Sequence, residues 1–297
     1  MALATRGHGP LAALRAFASQ IHPVFMLPPL AASLFGGLLA ASTAAGSEIG
    51  ATPVAYDPLV AGVHVVAAFF ALYTAHVKDG YVDFYGRGED DDHPLTARGC
   101  RVALALSTTV FFAATAALAL LVNLPAALLT LPGWVIGFHH APQLDTNPLT
   151  ATAGYPTGIA LSLLGGFYVQ TTSFTATMLT LAAVFLVVLS GIKVIDDATD
   201  YDYDRSIGKR TVAVVLGPPR ARQVAYGLML AGMVGVVVAA LSLSGVPPSG
   251  ALAALAFGVV ALIARDADPE LATQLLIRGS YVFLAVLVAA VWLRPLA

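Results

Sequence analysis

Charge is what this sequence has least of. Asp, Glu, Lys and Arg make up 11% of its 297 residues, hydrophobic residues make up 58%, and the mean hydropathy is +0.81. Soluble domains carry roughly a quarter charged residues, so a water-soluble globule is excluded and a polytopic membrane protein is expected. Cysteine is all but absent: Cys100 stands alone, which excludes an internal disulfide and gives no redox signal. Lysine occurs three times against twelve arginines, and glutamate three times against fourteen aspartates. The net charge of −2, with the basic residues tied to loops between apolar runs, gives no support to a nucleic-acid role. No P-loop or dinucleotide fingerprint occurs, and the opening twenty residues lack the form of a cleaved signal peptide. Polar linkers are missing too, so residues 1–297 read as a single integral membrane domain.

What is present is a series of apolar runs long enough to cross a bilayer, which takes about 20 residues each. Nine are expected, at 20–43, 57–78, 97–122, 124–140, 154–171, 175–196, 219–243, 248–265 and 271–294. With the N-terminus on the cytoplasmic side, assigning each Lys and Arg to the nearer end of its span places fourteen of the fifteen inside. Only Arg294 falls outside, and the opposite loops, such as "ASTAAGSEIGATP" and "SLSGVPPSG", contain no Lys or Arg. This predicts an all-α membrane protein lying in the cell membrane.

The scarce acids are concentrated. Eleven of the seventeen fall in two stretches, "KDGYVDFYGRGEDDD" (Lys78–Asp92) and "IDDATDYDYDRSIGKRT" (Ile195–Thr211). The first follows the second span and the second follows the sixth, so both leave the membrane on the same, cytoplasmic side. Asp79 and Asp83 are four apart, as are Asp196, Asp200 and Asp204, a spacing that places residues on one helix face. A helix C-terminus already carries partial negative charge, so such ladders call for a cation. Carboxylate oxygens suit Mg²⁺, which takes one or two protein carboxylates and fills its shell with water and substrate phosphate. Lys78, Arg87 and Arg98 flank the first cluster; Lys193, Arg205, Lys209 and Arg210 flank the second. Metal and cations together can hold a diphosphate and stabilise it as it leaves, with the apolar bundle to house a hydrocarbon tail. The residues therefore point to chemistry on a lipid diphosphate at the membrane face.

These motifs resemble the UbiA superfamily of membrane prenyltransferases. Its second aspartate motif, D-x-x-x-D, is matched by Asp196, Asp200 and Asp204, and "DRSIGKRTVAVVLG" is similar to the stretch that follows it in the family. In the first motif Asp79 stands where Asn is usual, Asp83 keeps the next carboxylate, and Asp90 supplies a third. "GYPTGIALSLLGGFYVQTTSF" (Gly154–Phe174) is similar to a segment of the 1,4-dihydroxy-2-naphthoate polyprenyltransferases of menaquinone biosynthesis. In "HHAPQLDTNPL", Gln143 and Asp145 stand where that branch has basic residues.

The resemblance implies nine helices around a central, lipid-accessible cavity, and Mg²⁺-dependent transfer of a polyprenyl chain from a prenyl diphosphate to an aromatic acceptor. It implies that Asp79, Asp83 and Asp90 bind one Mg²⁺ and that Asp196, Asp200 and Asp204 serve the other. Lys209, Arg210, Lys193 and Arg205 would bind diphosphate, and Tyr201, like Tyr81, could present an aromatic face to a developing cation. Tyr81 and Tyr201 could equally be interfacial anchors. His139 and His140 could serve the acceptor or simply pack at a helix end, and His76 and His93 could support the first cluster. Gly165–Gly166 reads as a close-packing pair. Two alternatives stay open. One is another acceptor, such as a glycerophosphate lipid, haem or a carotenoid. The other is a cation-coupled transporter, disfavoured because transporter carboxylates sit near mid-membrane and these sit at helix ends.

Overall fold

Helix starts are set by short polar caps followed by proline. The Asp57 carboxylate accepts the N–H groups of Leu59 and Val60 ahead of Pro58, Asn147 caps the helix that begins at Pro148, and Asp268 caps the one that begins at Pro269. Proline is tolerated in a first turn, where its missing N–H has no intrahelical partner in any case. The computed structural model describes residues 2–43 and 55–294; most of the stretch 41–53, expected as an outer loop, lies outside the described residues.

In chain order the helices are α1 (Pro10–Ala18), α2 (Pro23–Thr43), α3 (Pro58–Tyr81), α4 (Ala97–Leu121), α5 (Leu124–His139), α6 (Pro148–Thr171), α7 (Ala176–Thr199), α8 (Tyr201–Ser206), α9 (Val212–Leu216), α10 (Pro218–Ser242), α11 (Ala251–Arg265) and α12 (Pro269–Leu293). A wider π-helical turn extends α3 through Val82–Arg87, whereas the chain kinks after α5, where Ala141 leaves helical geometry with φ −118° and ψ 139°. Among the described residues, β pairing is limited to one isolated bridge, Ala4 to Leu95. The all-α expectation holds.

Among the described residues seven helical segments are long and apolar enough to cross a membrane, where nine were expected. The two that fall short are α5, which has 16 residues, and α6, which opens on the weakly apolar "PLTATAGYPT". Both are packed among the others, α5 against α3 and α6 against α2, so neither depends on lipid along its whole surface.

α2 lies against α6, and α7 against α10. A Cβ on Gly166 would lie 2.0 Å from the Ser33 carbonyl oxygen, and one on Gly165 would lie 2.2 Å from His64 Nε2. The close-packing expectation for this pair is met: Gly166 lets the α2 and α6 backbones approach, and Gly165 leaves room for the His64 ring of α3. Phe35, Phe185, Phe283 and Phe257 interlock with ring centroids 6.5, 5.5 and 5.9 Å apart in succession, tying α2, α7, α12 and α11 together. On the other side, a buried Thr74–Ser107 hydrogen bond of 2.8 Å joins α3 to α4. Between these two halves runs the cavity that holds the candidate site.

Candidate active site

One face of α3 builds the cavity wall. His64, Ala68, Ala71, Ala75 and Asp79 line it, at steps of three and four residues. Fifteen residues separate His64 from Asp79, about 22 Å at 1.5 Å per residue. The cavity holds about 630 Å³, and its body is apolar, with Phe25, Pro28, Phe111, Leu129, Ile159 and Leu189 among the lining residues. The small alanines on α3 leave that space open.

Acid gathers at one end. Asp79, Asp83 and Asp90 from the first cluster and Lys193 and Asp196 from the second line the same cavity. The two clusters thus meet across 117 residues of sequence from Asp79 to Asp196. Asp79 lies close enough to Lys193, Lys209, Arg87 and Asp145 to interact with their charges. Of the residues singled out from sequence, Asp200, Tyr201, Asp204, Arg205, Lys209 and Arg210 do not line the cavity. They sit just beyond it, where α7 gives way to α8 and α9.

The second cluster departs from a single ladder. α7 ends at Thr199, Asp200 leaves helical geometry with φ −101° and ψ 18°, and Asp204 lies on the separate, six-residue α8. Asp200 is exposed, whereas Asp204 is 4% exposed. The face expected to run unbroken from Asp196 to Asp204 is interrupted because the chain turns at Asp200 to bring Lys209 back. Lys209 Nζ lies 3.5 Å from Asp204 Oδ1. Burial raises the Asp204 carboxyl above its ordinary range, and the Lys209 charge opposes that rise only in part. Arg205 and Arg210 are exposed, and Tyr201 packs partly buried against the main core.

Asp197 is a residue the sequence reading passed over. It is 6% exposed. Lys193 Nζ sits 2.7 Å from Asp197 Oδ1 and 2.8 Å from Asp196 Oδ2, while Asp197 Oδ2 is buried with no hydrogen-bond partner. The signal was available, because Lys193 and Asp197 are an i, i+4 pair. The tie between loops was not. Arg87 reaches Asp83 at 3.1 Å and Asp145 at 2.5 Å, and the backbone N–H of Arg210 donates to the Asp145 carbonyl at 3.4 Å. Asp145, where a basic residue was expected, therefore neutralises Arg87 and fastens the 140–147 loop to both clusters.

The histidines divide into two kinds. His64 Nδ1 is 2.7 Å from Ser33 Oγ, and His93 Nδ1 is 2.9 Å from the Leu95 carbonyl oxygen. Both rings are buried and held by the protein. His22, His76 and His140 also line the cavity, but their ring nitrogens make no hydrogen bond to another described residue. His139 is exposed and packs edge-on against Phe138, and it is not among the residues that line the cavity. Tyr81 stacks toward Tyr85, with centroids 5.3 Å apart.

The donor set is tested against Mg²⁺ by its chemistry. Among the described residues no three His, Cys, Asp or Glu side chains converge to hold a metal by themselves. Mg²⁺ asks for less, being held by one or two carboxylates plus water and phosphate oxygens. Asp79 with Asp83, and Asp196 with its neighbours, supply such oxygen-only pairs. Buried carboxylate oxygens without donors, Asp197 Oδ2 and Asp145 Oδ1, further mark a region short of positive charge. The residues fit.

A sequence model of the UbiA prenyltransferase family matches residues 83–287. A comparison with curated proteins finds no match. Among solved structures, a UbiA homologue of Aeropyrum pernix K1 is 16% identical, with TM-score 0.69 over 91% of this chain and 98% of its own. A digeranylgeranylglyceryl phosphate synthase is 13% identical, with TM-score 0.71 over 94% and 99%. A UbiA homologue of Archaeoglobus fulgidus bound to DMAPP and Mg²⁺ is 15% identical, with TM-score 0.59 over 90% and 98%. At these identities the likeness establishes the shared fold.

Proposed function

The chain belongs to the UbiA prenyltransferase family, and from that premise we propose that it transfers a polyprenyl chain from a prenyl diphosphate to an aromatic acceptor such as 1,4-dihydroxy-2-naphthoate, with Mg²⁺ as cofactor. The observation that carries the reading is the single cavity with carboxylates from α3 and α7 at one end and an apolar body below them. A molecule that is anionic at its head and hydrocarbon along its length matches that polarity. The structural relative bound to DMAPP and Mg²⁺ supports the same assignment. The Gly154–Phe174 segment favours the menaquinone-type branch. The acidic side is assigned to the cytoplasm by the distribution of arginine and lysine.

In this reading Asp79 and Asp83, with Asp90 at the mouth, hold one Mg²⁺. Asp196, Asp197 and Asp200 would hold the other, with Asp204 ordering the loop that carries Lys209. When bound, the metal neutralises the diphosphate and stabilises the charge that grows on it as the allylic C–O bond opens. Lys193, already seated between two carboxylates, and Lys209 add point charges, and Arg210, Arg205 and Arg87 offer planar donors suited to phosphate oxygens. The apolar wall excludes water from the opened carbon, so the acceptor and not solvent captures it.

Prenyl diphosphates incubated with the purified protein and 1,4-dihydroxy-2-naphthoate should yield prenylated acceptor, detected by mass, and EDTA should abolish it. Turnover that survives chelation, or that is unchanged in Asp196→Ala, would sink the mechanism. Prenylated glycerophosphate in place of a prenylated ring would assign the other acceptor. Ion flux in liposomes abolished by the same substitution would assign a transporter.

A further inference from the structure

Five histidines line the cavity, and the protein uses two of them. His64 and His93 are anchored through Nδ1, to Ser33 and to Leu95. His22, His76 and His140 present ring nitrogens that meet no other described residue, although His76 and His140 are partly buried. A polar group partly withdrawn from water without a partner costs free energy; His76 and His140 are two such groups, and with the exposed His22 beside them they mark a place where a ligand supplies the partners.

Their arrangement limits what that ligand is. His22 and His76 face each other with ring centroids 4.9 Å apart at 55°, and Phe25 lies 6.2 Å from His76 at 48°. His76 also lies close enough to His140 to interact with it. His76 stands one turn before Asp79 on α3, so the three imidazoles border the carboxylate end and not the apolar body. A neutral imidazole offers one donor and one acceptor, the complement of a hydroxyl group, and the flat faces of His22, His76 and Phe25 suit a ring edge or face. Among the lining residues, Lys193 is the one lysine or arginine, and it is already paired with Asp196 and Asp197. A phosphate-bearing acceptor, with two negative charges to place beside the diphosphate, would find no unpaired lysine or arginine among the described lining residues, whereas a hydroxylated ring makes no such demand.

We propose that His22, His76 and His140 form the acceptor subsite, and that it selects a planar ring carrying a hydroxyl over a phosphorylated acceptor. This rests on the prenyltransferase reading above. The subsite binds and orients the ring beside the prenyl C1. The ring carbon then bonds to C1 while the C1–O bond breaks with its electron pair leaving on diphosphate, and the hydrogen on that ring carbon departs as a proton.

The test uses the full-length protein in detergent, with a prenyl diphosphate, Mg²⁺ and 1,4-dihydroxy-2-naphthoate as the probe. His76→Phe keeps the ring and removes the hydrogen bonds; His22→Phe does the same on the facing side. Each should raise the acceptor KM about tenfold, the scale of one lost hydrogen bond, and leave prenyl diphosphate binding unchanged. His76→Gln, which keeps a donor and an acceptor, should recover part of the loss. Prenyl diphosphate binding that persists shows the variants are folded. If wild-type protein prenylates the ring and both phenylalanine variants keep its KM, the subsite is wrong while the transferase reading stands. If wild-type protein prenylates only a glycerophosphate, both the aromatic reading and the subsite fall.

Discussion

The ammonium group of Lys193 stands 2.7 Å from Oδ1 of Asp197, one turn further along α7, and Oδ2 of the same buried carboxylate meets no donor. One lysine thus serves Asp196 and Asp197 together. The second cluster holds a cation of its own and still has carboxylate oxygen to spare.

Lys193→Met should expose that balance. Removing one partner of a buried pair leaves uncompensated charge and costs about 3 kcal/mol. The variant should melt well below wild type in EDTA, and Mg²⁺ should recover more stability for it than for wild type. Equal melting temperatures in EDTA would show that Asp197 finds its countercharge elsewhere.

Asp79→Asn and Asp196→Asn should each lower kcat about 10²–10³-fold, the scale of losing a group that stabilises developing charge. The Mg²⁺ concentration for half-maximal turnover should rise as well. The same series with Asp197→Asn and Asp200→Asn separates the buried carboxylate from the exposed one. A large loss at Asp197 with little at Asp200 would assign the second metal to Asp196 and Asp197.

The Arg87–Asp145 pair joins two loops, and both side chains are mostly buried, at 17% and 13% exposed. A double-mutant cycle with Arg87→Met and Asp145→Leu should return a coupling of about 1.5–3 kcal/mol in thermal stability. Additive effects within ~0.3 kcal/mol would reduce the contact to a surface pair.

Ala71→Phe places a ring in the cavity between Asp79 and His64. A fully extended carbon chain advances about 1.2 Å per bond, so the ~22 Å run holds roughly four to five isoprene units. The variant should lose at least about tenfold in kcat/KM for a C20 diphosphate and keep its activity on a C10 one. Equal losses on both would mean that the tail takes another path.

The sequence by itself determined the class, the helices and the two ends of the chemistry. Runs of about 20 apolar residues have no stable form in a bilayer except a helix, so the all-α architecture and most helix boundaries were legible. Asp57–Pro58 could be read as a helix start, whereas Asn147–Pro148 starts α6 six residues ahead of the expected 154; the pairing of acid with base at the ends of α3 and α7 follows from local spacing alone. Tertiary structure decided the rest. The i, i+4 rule holds only while a helix continues: α7 stops at Thr199, which leaves Asp200 exposed and makes Asp197 the buried carboxylate beside Lys193. The 58-residue separation of Arg87 from Asp145 has no periodicity to betray it, and its partner choice turned an apparent loss of a basic residue into a clamp. The histidines looked alike in sequence. Which of them are held by Ser33 or Leu95, and which face the cavity with free nitrogens, depends on contacts between helices distant in the chain, and only packing sets those.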